Sequence, residues 1–133
     1  MMSFYWRNDS VPCDKVRSDN KVIRFLRQIL YRSIDNKDIS YEDLKELMRN
    51  REIYLIDVRS GQEYEEGHLD SAINIPIYNI EKEISKNVKT KDDTIILYCS
   101  SGSRSKKAKS ILEKLGYSEV YNLKEGIDKI WIR

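Results

Sequence analysis

The sequence predicts an α/β fold in which a mainly parallel, five-stranded sheet has helices on both faces. From residue 39 onward, short runs of β-branched and aromatic residues alternate with segments whose apolar residues recur at helical spacing. Connections that contain a helix join parallel strands through right-handed crossovers and form three layers. The length of 133 residues fits one core of this kind with a short extension.

The elements of this domain follow one another in a regular order. A short strand at Ile39-Ser40 precedes a helix in YEDLKELMRN, for which Ser40 is a good N-cap and Asp43 nearly completes a capping box. A strand in IYLIDVR and a helical turn in GQEYEEGHL come next, and we expect Gly67 to close that turn in a left-handed conformation. The later elements are a strand in AINIPI ended by Pro76, a helix in IYNIEKEISKNV, a strand in TIILYC, a helix in SRSKKAKSILEKLGY, a strand in EVYNL and a helix in EGIDKIWIR.

We divide the chain near residue 38 into an N-terminal extension, residues 1–37, and a main domain, residues 38–133. The excess of positive charge lies in the extension, where apolar residues from Val22 to Ile34 recur at helical spacing with arginines between them. This pattern predicts a basic amphipathic helix over about residues 19–33. We favour packing of its apolar stripe on the main domain over contact with a membrane or a partner, and the sequence leaves both open.

Composition excludes several classes of protein. Cys13 and Cys99 are the only cysteines, which excludes a disulfide framework and favours a reducing cytoplasm. With His68 as the one histidine, we expect no metal site. No run approaches the roughly 20 apolar residues of a membrane span, the first residues lack the apolar core of a secretory signal, and a formal net charge of +2 gives no reason to expect a nucleic-acid partner.

The segment CSSGSR lies between a buried strand and a helix, and its composition suits an anion-binding loop. Gly102 permits a positive φ, and Ser100, Ser101 and Ser103 are small, so successive backbone N–H groups can turn toward the sulfur of Cys99. The following helix adds the positive end of its dipole, and Arg104 lies in its first turn. These features lower the pKa of a thiol. They favour a nucleophile over a packed, inert cysteine.

Three ordered motifs resemble the rhodanese homology domain. LIDVRSGQEYEEGHLDSAINIP is similar to its amino-side signature, CSSGSR to its Cys-x-x-Gly-x-Arg loop, and VYNLKEGIDKIW to its closing Val-x-x-Leu-x-Gly-Gly-x-x-x-Trp motif. The resemblance covers about residues 38–133. It departs from the family at Glu125, where the first glycine of a pair is usual, and we expect a local backbone change there.

The resemblance implies a sulfurtransferase. Cys99 would take sulfur from thiosulfate or a persulfide donor, carry it as a persulfide, and pass it to cyanide or a thiol acceptor, which could belong to a small molecule or a protein. The backbone of Ser100, Ser101, Gly102, Ser103 and Arg104 would bind the persulfide and the substrate anion, with no metal or organic cofactor. Two displacements through a covalent intermediate predict ping-pong kinetics.

Two other functions compete with this hypothesis. Phosphatase and arsenate-reductase relatives have a loop one residue longer than the four residues between Cys99 and Arg104, so loop length disfavours them. A non-enzymatic module that carries or senses sulfur, or binds a partner, stays open because the extension has an apolar face of its own.

Four further residues are predicted to support the site. Asp57, Arg59 and Glu63 are expected to form one buried charge network that shapes the loop, because unpaired charges at a strand end are costly. His68 falls in a turn of the family pattern, which favours a structural role over general-base chemistry. A role for Cys13 in relaying sulfur is disfavoured.

Overall fold

A computed structural model describes residues 37–132 of the chain. The helix predicted for residues 19–33, and Cys13, lie outside the described residues. The elements are β1 (Asp38–Ile39), α1 (Tyr41–Asn50), β2 (Tyr54–Asp57), α2 (Gly61–Glu66), β3 (Ile73–Asn74), a 3-10 turn (Ile77–Asn79), α3 (Ile80–Asn87), β4 (Thr94–Tyr98), α4 (Ser103–Lys114), β5 (Glu119–Leu123) and α5 (Gly126–Ile132).

The strands form one sheet in the order β1-β5-β4-β2-β3, and every pair is parallel. The predicted α/β class and five-stranded parallel sheet are therefore confirmed. Strand β4 lies in the middle, between β5 and β2, and all five of its residues are buried. This position explains why TIILY is a continuous apolar run, since a central parallel strand is covered on both faces.

Two hydrophobic clusters lie on opposite faces of the sheet, as the alternation of side chains along β4 requires. Ile95, Leu97 and Cys99 belong to the first cluster, which includes residues of α3 and α4. Ile96 and Tyr98 belong to the second, which includes residues of α1 and α5. The cysteine that follows β4 thus continues an apolar face and enters the site from the protein interior.

One local prediction is confirmed, and two features, the length of β3 and the conformation of Gly67, differ from the sequence predictions. The capping box at Ser40 and Asp43 is present, as predicted. Strand β3 is only two residues long, because the chain turns at Pro76 into the 3-10 turn. Gly67 ends α2 with φ 151° and ψ 142° rather than in the left-handed helical region we expected. A Cβ there would lie 3.0 Å from the Trp131 ring, so a larger residue would also require that ring to shift.

Within residues 37–132, no helix combines the length and the apolar character that crossing a membrane requires.

Candidate active site

The loop between β4 and α4 brings the predicted site residues to the carboxyl edge of the sheet, where ligands of open α/β sheets bind. Gly102 is the residue before α4 and has φ 102°, a left-handed value that side chains disfavour. A Cβ at this position would lie 2.8 Å from the carbonyl oxygen of Lys124. The predicted need for glycine therefore has two causes, the backbone conformation and the contact with the turn after β5.

Three hydrogen-bonding groups surround the sulfur of Cys99. The backbone N–H of Gly102 donates to Sγ over 3.1 Å and that of Ser105 over 3.4 Å. The Ser105 hydroxyl lies 3.5 Å from the same atom. Cys99 is only 1% exposed, so its sulfur lies inside the loop and not at the surface.

These contacts lower the pKa of the Cys99 thiol. Burial is the largest single influence and raises the pKa, but hydrogen bonds from the Ser105 hydroxyl and from the amides of Ser105, Gly102 and Ser101 outweigh it. The amino end of α4 faces the same region and favours negative charge there. The loop thus stabilises a thiolate although the sulfur is buried.

Helix α5 holds the loop from behind. The amide of Ile127 donates to the carbonyl of Cys99 over 2.9 Å, and the amide of Asp128 donates to that of Ser100 over 3.1 Å. Gly126 has φ 73°, and a Cβ on it would lie 2.2 Å from the Ser100 carbonyl oxygen. This contact is why the second glycine of the closing motif is required.

Glu125 occupies the place of the first glycine in that motif. It is not among the described residues that have a positive φ, and its Oε1 accepts a hydrogen bond of 2.9 Å from the amide of Tyr41, at the start of α1. The departure from the family pattern therefore adds a contact between the turn after β5 and α1.

Arg104 forms an ion pair with Glu63, which we had placed in a different network. Nη1 of Arg104 donates to Oε1 of Glu63 over 2.8 Å, and Nη2 donates to Oε2 over 3.1 Å. Nη2 also donates to the Ser100 hydroxyl over 3.2 Å. Through its hydrogen bond to Arg104, Glu63 has its pKa lowered to about 2.

Direct contacts divide the residues of the predicted network between two ion pairs, Asp57–Arg59 and Glu63–Arg104, and Glu63 acts on Arg59 only through its charge. Glu63 is the third residue of α2, and its carboxylate caps that helix by accepting from the amide of Ser60 over 3.0 Å. This capping position aims the carboxylate at the cysteine loop instead of at the end of β2. The pairing with Arg104 spans 41 residues of sequence and depends on where α2 packs.

Asp57 and Arg59 form a separate, buried pair. Nε of Arg59 donates to Oδ1 of Asp57 over 3.0 Å, and Nη2 donates to Oδ2 over 2.7 Å. Nη2 also donates to the carbonyl of Gly67 over 2.6 Å, and the guanidinium lies 5.7 Å from the ring of Trp131. The pair joins the end of β2 to the turn after α2 and to α5.

His68 contacts the helix that precedes it. The His68 ring stacks on the Tyr64 ring with centroids 3.7 Å apart, and Nδ1 of His68 lies 2.9 Å from the backbone carbonyl oxygen of Tyr64. The residue is exposed. These contacts are those of a turn residue, and the structural role stays a prediction.

Two buried polar residues behind the loop were missed by the sequence analysis. Ser105 is fully buried and donates a hydrogen bond to Asn122 of β5, which is 3% exposed and donates in turn to Asp38 over 3.1 Å. Ser105 shares the buried face of α4 with Ala108 and Leu112, so helical spacing could have placed it under the loop. An asparagine inside a strand was the signal for Asn122.

Comparison with known proteins identifies the family. The family model for the rhodanese-like domain matches residues 40–132. The chain belongs to the rhodanese-like domain family. Among curated relatives, the thiosulfate sulfurtransferase PspE of Escherichia coli strain K12 is 42% identical over 67 residues, which cover 50% of this chain and 64% of the relative. The uncharacterized protein YqhL of Bacillus subtilis strain 168 is 34% identical over 108 residues, 81% of this chain and 82% of the relative.

Other curated relatives are matched over less than half of their own length. The tRNA uridine(34) hydroxylase of Buchnera aphidicola is 35% identical over 97 residues, which cover 68% of this chain but 30% of the relative. Among solved structures, the human single domain sulfurtransferase TSTD1 has a TM-score of 0.65 at 22% identity, covering 73% of this chain and 97% of that one, which shows the shared rhodanese-like fold.

Proposed function

We propose that this rhodanese-like domain is a sulfurtransferase in which Cys99 carries sulfane sulfur as a persulfide. The donor is thiosulfate or another persulfide, and the acceptor is cyanide or a thiol. The observation that carries the proposal is the convergence of two backbone amides, those of Gly102 and Ser105, on the Cys99 sulfur at 3.1 and 3.4 Å, with the Ser105 hydroxyl 3.5 Å from the same atom. These donors favour a thiolate, and a thiolate is the form of cysteine that attacks sulfur.

The first half-reaction transfers one sulfur atom. The Cys99 thiolate attacks the outer sulfur of thiosulfate, a sulfur–sulfur bond forms on Cys99, and the bond to the sulfonyl sulfur breaks. Sulfite leaves with the electron pair, and the terminal sulfur of the new persulfide keeps the negative charge. The amides that bind the thiolate can then bind this terminal sulfur, because both are anions within the same ring of donors.

The second half-reaction returns the enzyme to its starting state. Cyanide or a thiolate attacks the terminal sulfur, and the bond between the two sulfurs breaks with its electron pair on Cys99. The leaving group is the same stabilised thiolate, and leaving is faster for a thiol of low pKa. Each half-reaction therefore uses the same hydrogen bonds.

The test is mass spectrometry of the intact protein after incubation with thiosulfate. We expect one added sulfur atom, which cyanide removes with release of thiocyanate. Cys99→Ser should abolish the adduct, whereas Cys13→Ser, the matched control at the other cysteine, should keep it. No adduct in the wild-type protein with thiosulfate or with a persulfide, or an adduct that survives in Cys99→Ser, would refute the mechanism. An adduct that neither cyanide nor a thiol removes would favour a non-catalytic sulfur carrier.

A further inference from the structure

The arginine of the loop is already bound by a carboxylate. Arg104 and Glu63 make two parallel hydrogen bonds of 2.8 and 3.1 Å, which is the bidentate geometry of a strong pair. Their side chains are 38% and 34% exposed, so the pair lies at the surface beside the buried Cys99. The positive charge that the sequence placed at this loop is therefore matched by a negative one.

Glu63 stays negative wherever the reaction can run. Arg104, the first cause of its low pKa of about 2, keeps the carboxylate ionised at any pH at which the thiol can lose its proton. Glu63 also reaches the loop directly, because the Ser100 hydroxyl donates to its Oε2 over 3.4 Å. A sulfur donor bound at the loop therefore meets a guanidinium whose positive charge Glu63 already balances.

Other charged residues near the loop are of both signs, and the exposed Lys106 and Lys107 of α4 add positive charge. Lys124 follows β5 and is exposed, and Asp128, also exposed, carries the amide that binds the Ser100 carbonyl. Neutral groups, the amides of Ser101, Gly102 and Ser105, provide the stabilisation of the sulfur. Amide donors can hold one negative charge at the sulfur, whereas a second charge on the donor finds the Arg104 guanidinium already paired with Glu63.

We propose that Glu63 is a specificity-determining residue that selects sulfur donors by charge, favouring those with at most one negative charge over the dianion thiosulfate. The preferred class is then the persulfide of a thiol compound or protein, or a thiosulfonate. This inference rests on the proposed function and adds the chemical class of the donor. Glu63 discriminates through the long-range Coulomb interaction and takes no part in bond making.

The two donor classes give the same product on Cys99. A thiosulfonate loses its outer sulfur to the thiolate, and a sulfinate leaves with the electron pair in the place of sulfite. A persulfide loses its terminal sulfur in the same way, and a thiolate leaves. Both reactions conserve charge and need no oxidant or reductant, so donor charge can be varied while the step at Cys99 is unchanged.

The test compares thiosulfate with methanethiosulfonate, which carries one negative charge, as donors with cyanide as the acceptor. In ping-pong kinetics kcat/KM for a donor reports only the first half-reaction. In Glu63→Gln we expect the ratio of kcat/KM for thiosulfate to that for methanethiosulfonate to rise about three- to tenfold, the effect of one surface charge on one extra donor charge. Glu65→Gln, an exposed residue of the same helix, is the matched control and should leave the ratio unchanged.

A second variant tests the sign of the effect. Arg104→Gln leaves the Glu63 carboxylate unneutralised, so the same ratio should fall. A ratio that is unchanged in Glu63→Gln, or that rises equally in Glu65→Gln, would overturn the inference while leaving persulfide formation intact. Failure of both donors to form a persulfide on the wild-type protein would instead refute the proposed function, and this inference with it.

Discussion

Two carboxylate–arginine pairs lie at the same edge of the sheet and differ in their access to water. The side chains of Asp57 and Arg59 are 0% and 4% exposed, whereas those of Glu63 and Arg104 are 34% and 38% exposed. Both pairs are bidentate. The same chemical groups are therefore found in an interior and in a surface setting within one domain.

The difference in exposure separates a structural pair from one that can act on a substrate. Removing one partner of a buried pair leaves a charge without water or a counter-ion, which lowers the free energy of unfolding. Half-exposed partners regain water when the pair breaks, so their contribution to stability is small. The electrostatic field of the exposed Glu63–Arg104 pair, however, acts on a sulfur donor that binds at the loop. Burial thus predicts which pair governs unfolding and which governs donor choice.

Breaking the buried pair should have the largest effect. Arg59→Met leaves the Asp57 carboxylate fully buried without its guanidinium, and we expect the free energy of unfolding to fall by about 3–5 kcal/mol. Urea denaturation followed by circular dichroism measures the change.

The control for this prediction neutralises the remaining charge. In the double variant Asp57→Asn/Arg59→Met, no ionised group is left in the interior, so part of the lost stability should return. If the double variant were as unstable as the single one, lost packing against Gly67 and Trp131, and not the unpaired charge, would explain the result.

A substitution behind the loop should change reactivity without regard to donor charge. Ser105→Ala removes a hydroxyl that lies 3.5 Å from the Cys99 sulfur and lowers its pKa. We expect the thiol pKa to rise and the rates with iodoacetamide, thiosulfate and methanethiosulfonate at neutral pH to fall by similar factors. The pH dependence of alkylation by iodoacetamide measures the pKa.

Ser110→Ala is the matched control, since Ser110 lies on the exposed face of the same helix. It should leave the pH profile of alkylation unchanged. Ser105→Ala should leave the ratio of kcat/KM for thiosulfate to that for methanethiosulfonate unchanged. A change as large as the one expected in Glu63→Gln would mean that donor choice does not depend on Glu63 specifically.

Much of the fold could be predicted because its signals are local. The apolar run that ends at Cys99 becomes the central strand β4, and the cap at Ser40 needs only residues within one turn. The loop could be placed in the same way, because a glycine among small residues between a strand and a helix supplies the positive φ that a tight turn needs. These features depend on backbone preferences that each segment carries by itself.

The partners of the site residues could not be predicted, because they depend on packing between distant segments. Glu63 was assigned to the nearest opposite charge in the sequence, Arg59, but its capping position in α2 directs it to Arg104. Ser105 received no prediction from the sequence, because its contact with Asn122 forms only when α4 packs on the sheet. Sequence thus locates charges and hydroxyls, and tertiary structure decides which of them meet.

The smallest expected effect is the stability contribution of the exposed pair, and its pH dependence tests the origin of the low Glu63 pKa. Because the pKa of Glu63 is about 2 in the folded protein and about 4.3 for an unperturbed glutamate, its contribution is fully present above the unfolded value and is lost as pH falls toward the folded one. Because about a third of each side chain in this pair is exposed to water, solvent screening limits the contribution of the pair to the free energy of unfolding to about 1 kcal/mol or less. Urea denaturation of the wild-type protein and Glu63→Gln should show this difference at neutral pH, and the difference should shrink below about pH 4. A difference that grew in acid, or that matched the loss in Arg59→Met, would show that the exposed pair is structural after all.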